Sequence, residues 1–191
     1  MGYKYIYLVR HGQYNMDKQS ETYGSLTKLG HYQAVCAAKR LSEYPVSAIH
    51  SSSLNRAKET ALSIMEKFSG ITLKSHHLLK EGLPFVPNVI IKERGLDKYA
   101  IKHDRERMEK AYKEFFTPYK KDGDKHEVFV CHGNIIRFFL CKALDVTIEA
   151  WTKFEIFECS VSAIKIKPDG RTLVQSFAET GHIPLEKRSI L

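Results

Sequence analysis

The chain has 191 residues, a formal net charge of +8 at neutral pH, 43% hydrophobic residues and 27% charged ones. That length suits one domain, 1–191, burying about 70% of the surface its unfolded form would expose, and no segment approaches the roughly 20 apolar residues of a membrane span. Composition thus points away from disordered and membrane-embedded classes and toward a soluble globular protein with anionic partners.

The stretch YKYIYLVRHGQY, residues 3–14, opens with an apolar run that suits a strand buried on both faces of a sheet, and Gly12 stops it. In open α/β sheets ligands collect beyond the carboxyl ends of strands, so Arg10 and His11 fall where a site is expected. A polar loop, residues 15–25, leads into LTKLGHYQAVCAAKRLSEY. There Thr27 fits an N-cap, Ala34, Val35, Ala38 and Leu41 recur at helical spacing, and Pro45 ends the helix. VSAIHSSS (46–53) reads as a second strand. In NRAKETALSIMEKF (55–68) Ala57, Ala61, Ile64, Met65 and Phe68 form one helical face, with Gly70 as a stop. ITLKSH (71–76) is a third strand.

From Leu79 to His103 the periodicity dissolves among Gly82, Pro84, Pro87 and Gly95, and a loop of that length predicts a substrate-side lid or binding segment. DRERMEKAYKEFF (104–116) restores a helix, HEVFVCHGN (126–134) is another buried strand, and IIRFFLCKAL (135–144) is an apolar helix packed on the sheet. SVSAIKIKPDGRTLVQSFAE (160–179) alternates around Pro168, Asp169 and Gly170 as a hairpin does. The order strand, helix, strand, helix, strand predicts an α/β fold. Its mainly parallel central sheet would carry helices on both faces and a C-terminal antiparallel hairpin.

Cys36, Cys131, Cys141 and Cys159 show no metal or disulfide spacing and read as reduced, mostly buried thiols. The N-terminus runs straight into the first strand, so the location expected is cytoplasmic. Basic residues are dispersed, and no helix-turn-helix, zinc-finger or RNA-binding signature accompanies them, so neither nucleic acid nor membrane is expected as a partner.

Two strands end alike, LVRHG at 8–12 and FVCHG at 129–133; if they are sheet neighbours, His11 and His132 meet at its carboxyl edge. Arg56 opens the second helix just past another strand end. Arginine matches phosphate oxygens with permanently charged planar donors, so Arg10 and Arg56 predict an anion pocket. Taken singly, each of these residues also has a structural or surface explanation.

The motifs RHG (10–12), LTKLGHYQA (26–34), SSSLNRAKET (51–60), EG (81–82) and CHGNIIR (131–137) resemble, in order, those of the histidine phosphatase (phosphoglycerate mutase-like) superfamily. RHGQY, LLKEGLP, CHGNIIR and ETGHIP are similar in detail to its mitochondrial serine/threonine protein phosphatase branch. The resemblance implies a phosphoglycerate mutase-like fold and a metal-independent, cofactor-free phosphatase acting through a phosphohistidine intermediate. It makes His11 the nucleophile, Glu81 the proton donor, and Arg10, Arg56 and His132 the ligands of the phosphoryl oxygens. Asn134 has two equal readings, closing the phosphate pocket or capping the next helix. Glu59 and Glu93 are further carboxylates, Glu59 assigned to its own helix, and His182 is expected to bring the tail near the site.

The substrate implied is a phosphorylated protein, at phosphoserine or phosphothreonine, with a small phosphorylated metabolite as the alternative. A phosphoglycerate mutase-type phosphotransferase and a non-catalytic phosphate-binding scaffold are the other readings, and a homodimer is left open.

Overall fold

The computed structural model describes residues 1–21 and 23–190. Its strands are β1 (Lys4–Arg10), β2 (Val46–Ser52), β3 (Leu73–His76), β4 (Lys125–Cys131), β5 (Val161–Ile166) and β6 (Thr172–Glu179). They form one sheet in the order β3-β2-β4-β1-β5-β6. The four strands from β3 to β1 run parallel, and β5 and β6 add an antiparallel edge. The fold class is therefore the one the alternation predicts.

Helices α1 (Lys28–Leu41) and α2 (Asn55–Met65) cover one face of the sheet, and α4 (Lys98–Phe115) and α5 (Gly133–Ala143) the other. Side chains alternate across a strand, so Tyr7, Val9, Val128 and Val130 pack toward α1 and α2 while Ile6, Leu8, Phe129 and Cys131 pack toward α4 and α5. This two-sided burial explains why β1 and β4 read as continuous apolar runs rather than alternating ones.

The first helix begins as its cap predicts: Thr27 Oγ1 accepts from the Gly30 N–H at 3.1 Å. It stops at Leu41, before Pro45, and Val35 is half exposed on its outer side; Ala34, Ala37, Ala38 and Leu41 make the buried face instead. Gly30 is required by proximity, since a Cβ there would lie 1.9 Å from the Gln13 carbonyl oxygen, and one on Gly12 would lie 2.5 Å from the Gly30 oxygen. The two motif glycines thus let the RHG turn and α1 touch backbone to backbone.

Residues 79–103 are not the uninterrupted loop the sequence suggested. They contain helix α3 (Asn88–Arg94), and α4 starts at Lys98. Pro87 precedes the first turn of α3, Gly95 closes it at φ 61°, and Asp97 caps α4 by accepting from Tyr99 and Ala100 N–H groups. Proline and glycine read as loop markers here are helix boundaries. Among the described residues no helix is long and apolar enough to cross a membrane.

At the end of the sheet away from the strand carboxyl termini lies a buried ionic group. Glu127 on β4 meets Lys4 at 2.8 Å and Lys125 at 2.6 Å, and Lys4 also donates to the Phe115 carbonyl at 2.6 Å. Burial opposes the charge, but the Lys125 and Lys4 contacts, with His50 Nε2 close by at 3.7 Å, hold the Glu127 carboxyl well below the usual carboxylate range. Its contribution is present above the ordinary glutamate pKa and is lost as pH falls. We expect Glu127→Ala, which strands buried Lys4, to cost about 3–5 kcal/mol in urea unfolding at pH 7, with the gap to wild type narrowing in acid.

Candidate active site

The parallel pairing of β1 with β4 sets Arg10 opposite Cys131, and the His11 N–H donates to the Cys131 carbonyl at 3.0 Å. His11 and His132 consequently lie side by side, ring centroids 5.0 Å apart, at the carboxyl edge of the sheet. The structure brings Arg10, His11, Arg56, Glu81 and Asn134 into the wall of one pocket of about 290 Å³, with His132 buried beneath it.

His11 is 3% exposed. Its Nδ1 lies 2.9 Å from the Gly12 carbonyl, an acceptor only, so Nδ1 carries the proton and Nε2 the lone pair. Arg56 Nε donates to that lone pair at 3.1 Å. Burial first, then the charges of Arg56 and Arg10, push the ring's pKa down to about 3. The imidazole is therefore neutral and nucleophilic across the physiological range. His132 is likewise held well below the usual histidine value by burial and its cationic neighbours. Its Nε2 is 2.8 Å from Ser52 Oγ, while Nδ1 is buried with no hydrogen-bond partner among the described residues.

Arg10 leaves the end of β1 and is anchored from behind, with Nη1 donating to the Ile156 carbonyl at 2.6 Å and Nη2 3.9 Å from Glu158. Glu158 in turn accepts from Ser189 Oγ, and its N–H donates to the Ser189 carbonyl at 3.1 Å. The C-terminal tail thus reaches the layer behind Arg10 through Ser189. His182, expected to make that approach, donates to the Cys159 carbonyl at 3.0 Å and does not line the pocket; it lines a separate cleft beside Tyr32, Val35 and Cys36 of α1.

Glu81 is delivered by the segment after β3. Arg107 of α4 donates to the carbonyls of Leu78, Lys80 and Glu81 and to Asp104, and Asp104 accepts from the Leu83 N–H at 3.0 Å. A Cβ on Gly82 would strike the Asp104 carboxylate at 2.3 Å, so the glycine of the EG pair permits this clamp. The Glu81 carboxylate accepts from the Gly82 and Asn134 N–H groups at 3.1 and 3.3 Å. Burial nonetheless raises its pKa, against those hydrogen bonds and the nearby Arg56 and Arg10. A buried carboxyl that resists ionisation can donate a proton, and a neutral imidazole with its lone pair in the pocket can act as a nucleophile.

Asn134 does not cap α5: His132 is the cap residue, with no side-chain cap bond, and Asn134 Oδ1 accepts from Arg137 Nη1 at 3.1 Å inside the pocket wall. Glu59 ties the loop before α1, accepting from the Leu26 N–H at 2.6 Å, and Glu93 is exposed on α3. Sequence reasoning missed several contributors. Thr60 Oγ1 accepts from the Gly12 N–H at 3.0 Å and fixes the RHG turn to α2, and Tyr14 lies under the Arg56 guanidinium at 4.5 Å. Ser52, Thr60 and Arg137 stood inside the motifs already quoted; Arg107 and Asp104 carried no local signal, because their role is a contact across the sequence. Among the described residues no group of three or more His, Cys, Asp or Glu is placed to hold a metal ion.

In a nitrogen-detected NMR titration, His11 should keep a protonated Nδ1 and an unprotonated Nε2 from pH 8 to pH 5, and Thr60→Val should broaden or shift that signal by freeing the turn.

Residues 6–82 and 99–178 match the model of the histidine phosphatase superfamily (branch 1). The serine/threonine-protein phosphatase PGAM5, mitochondrial, of Rattus norvegicus is 32% identical over 96% of this chain, and that of Caenorhabditis elegans is 36% identical over 96%. The chain spans 65% of the rat relative's length and 66% of the nematode's. A crystal structure of phosphoglycerate mutase from Plasmodium falciparum superposes with a TM-score of 0.69 at 28% identity, covering 100% of this chain and 99% of that one. The cytoplasmic expectation is corrected by these names, which call the relatives mitochondrial. It rested on the residues before β1, and a catalytic fold carries no cellular address in its core. With the RHG turn, its second histidine and the matched sequence in one place, the chain belongs to the histidine phosphatase superfamily.

Proposed function

We propose that the chain is a metal-independent phosphomonoesterase working through a phosphohistidine intermediate, with phosphoserine or phosphothreonine in proteins as its substrate class and residues 1–191 as one catalytic domain. The observation that carries this reading is His11, whose Nδ1 is tied to the Gly12 carbonyl while Nε2 sits among Arg56, Arg10 and a carboxyl with a raised pKa. The protein-directed part rests on the PGAM5 relatives, named as serine/threonine-protein phosphatases.

In the first step Nε2 bonds to phosphorus as the ester P–O bond breaks, and Glu81 gives its proton to the departing alkoxide. Arg56 turns its donor from Nε2 to the phosphoryl oxygens, joined by Arg10 and by His132 through Nδ1. Positive charge on the equatorial oxygens is the stabilisation that the loose transition state needs, and permanent guanidinium charges supply it. In the second step water attacks phosphorus, its proton passes to the now ionised Glu81, and the N–P bond breaks to release phosphate and regenerate neutral His11. One carboxyl serves as acid and then as base, consistent with its raised pKa.

Phosphate release from a phosphothreonine peptide and from 3-phosphoglycerate, measured with a chelator present, tests this reading. Release from the peptide should survive the chelator and vanish in His11→Ala; greater turnover of the small acid would assign a metabolite instead. Glu81→Gln should lower the rate of phosphoenzyme formation about 10²- to 10⁴-fold. In wild type that rate should fall as pH rises through the elevated Glu81 pKa. The glutamine variant should lose this limb, and no acid limb from His11 should appear until near pH 3.

A further inference from the structure

Arg137 stands in the pocket wall without a role in the chemistry just described. Helical side chains lean toward the N-terminus of their helix, so from the second turn of α5 it reaches back over Asn134, donating from Nη1 to that residue's Oδ1 at 3.1 Å. Its guanidinium carbon lies 5.8 Å from the centroid of the Trp151 ring, whose indole N–H is fixed to the Phe85 carbonyl at 3.0 Å. Its Nε is buried and has no hydrogen-bond partner among the described residues, and no carboxylate there forms an ion pair with it.

The other two pocket arginines are differently engaged. Arg10 faces Glu158, and Arg56 donates to His11. Together with His132 they meet the oxygens of one phosphoryl group. Glu81 and Glu155 are the carboxylates that act on Arg137, but neither comes within ion-pair distance, and burial still outweighs them and lowers its pKa. The pocket therefore carries one guanidinium beyond what the phosphoryl group uses, and an unpaired buried N–H is costly until an acceptor reaches it. A planar carboxylate matches such a group with paired, charge-assisted hydrogen bonds.

We propose that Arg137 is a specificity determinant that selects phosphopeptides with an aspartate or glutamate next to the phosphorylated residue. This rests on the phosphatase reading and adds to it the chemistry of the flanking position. The same carboxylate chemistry also occurs within small phosphorylated acids, which the test separates.

The experiment compares kcat/KM for a phosphothreonine peptide with Asp beside the phosphothreonine, the same peptide with Asn there, 3-phosphoglycerate and glycerol 3-phosphate. Wild type should prefer the Asp peptide over the Asn peptide about tenfold, the scale of one charged hydrogen bond at a partly open site. Arg137→Gln should bring that ratio to about one, while Arg137→Lys should keep part of it. Equal rates on the two peptides in wild type, or a preference untouched by Arg137→Gln, would overturn the proposal. A preference confined to glycerate over glycerol would overturn the peptide assignment and give the site to a small acid. Absence of phosphate release from all four would instead sink the phosphatase reading. Fluorescence anisotropy of the two peptides on His11→Ala then still decides this one. Tighter binding of the Asp peptide that disappears when Arg137→Gln is added supports it, and equal binding refutes it.

Discussion

The parallel pairing of β1 with β4 is the constraint on which the site depends. Because Arg10 lies opposite Cys131, the turns that follow both strands begin at the same height, and each contributes a histidine and a glycine. A one-residue slip would exchange the two faces of a strand, carrying Val9 and Val130 out of one core layer and Leu8 and Phe129 out of the other. Register is thus held by apolar packing on both faces, and the geometry of the two histidines follows from it.

Gathering cations around a buried imidazole has to be stabilised from outside the pocket. Arg10 is held by the Ile156 carbonyl and by Glu158, which the tail reaches through Ser189. The RHG turn is held by Thr60, and the Glu81 segment by Arg107 and Asp104 of α4. Each support comes from a different stretch of chain, so the rigidity of the site belongs to the assembled fold. Low solvent exposure acts on both side chains in a definite direction: it keeps His11 neutral and raises the Glu81 pKa. The same burial makes the charges that remain, Arg10 and Arg56, stronger toward an anion than they would be in water.

Some residues in this chain carry one signal that serves two purposes. Pro87 and Gly95 mark helix ends in α3, yet the same residues punctuate loops, and the short helix between them has too few turns to show periodicity. Val35 is apolar but points away from the sheet, since the face of α1 is chosen by where β1 and β2 lie. His182 has the more conspicuous chemistry, whereas Ser189, with an ordinary hydroxyl, is the tail residue that touches the layer behind Arg10.

What the sequence determined by itself was local: the apolar strands, the Thr27 cap and the hairpin at Pro168 to Gly170, while Arg10, His11, Arg56, Glu81 and His132 stood out as a set through resemblance to a family's ordered motifs. These are legible because a strand, a cap or a turn is set by neighbours a few positions away. The tertiary structure alone decided which nitrogen of His11 bears the proton, which way the pKa values of His11 and Glu81 move, and that Asn134 faces Arg137 rather than capping α5. Those properties arise from burial and from partners far away in sequence, such as Arg56 for His11 and Arg107 for the Glu81 segment, and no local pattern encodes a contact that only folding creates.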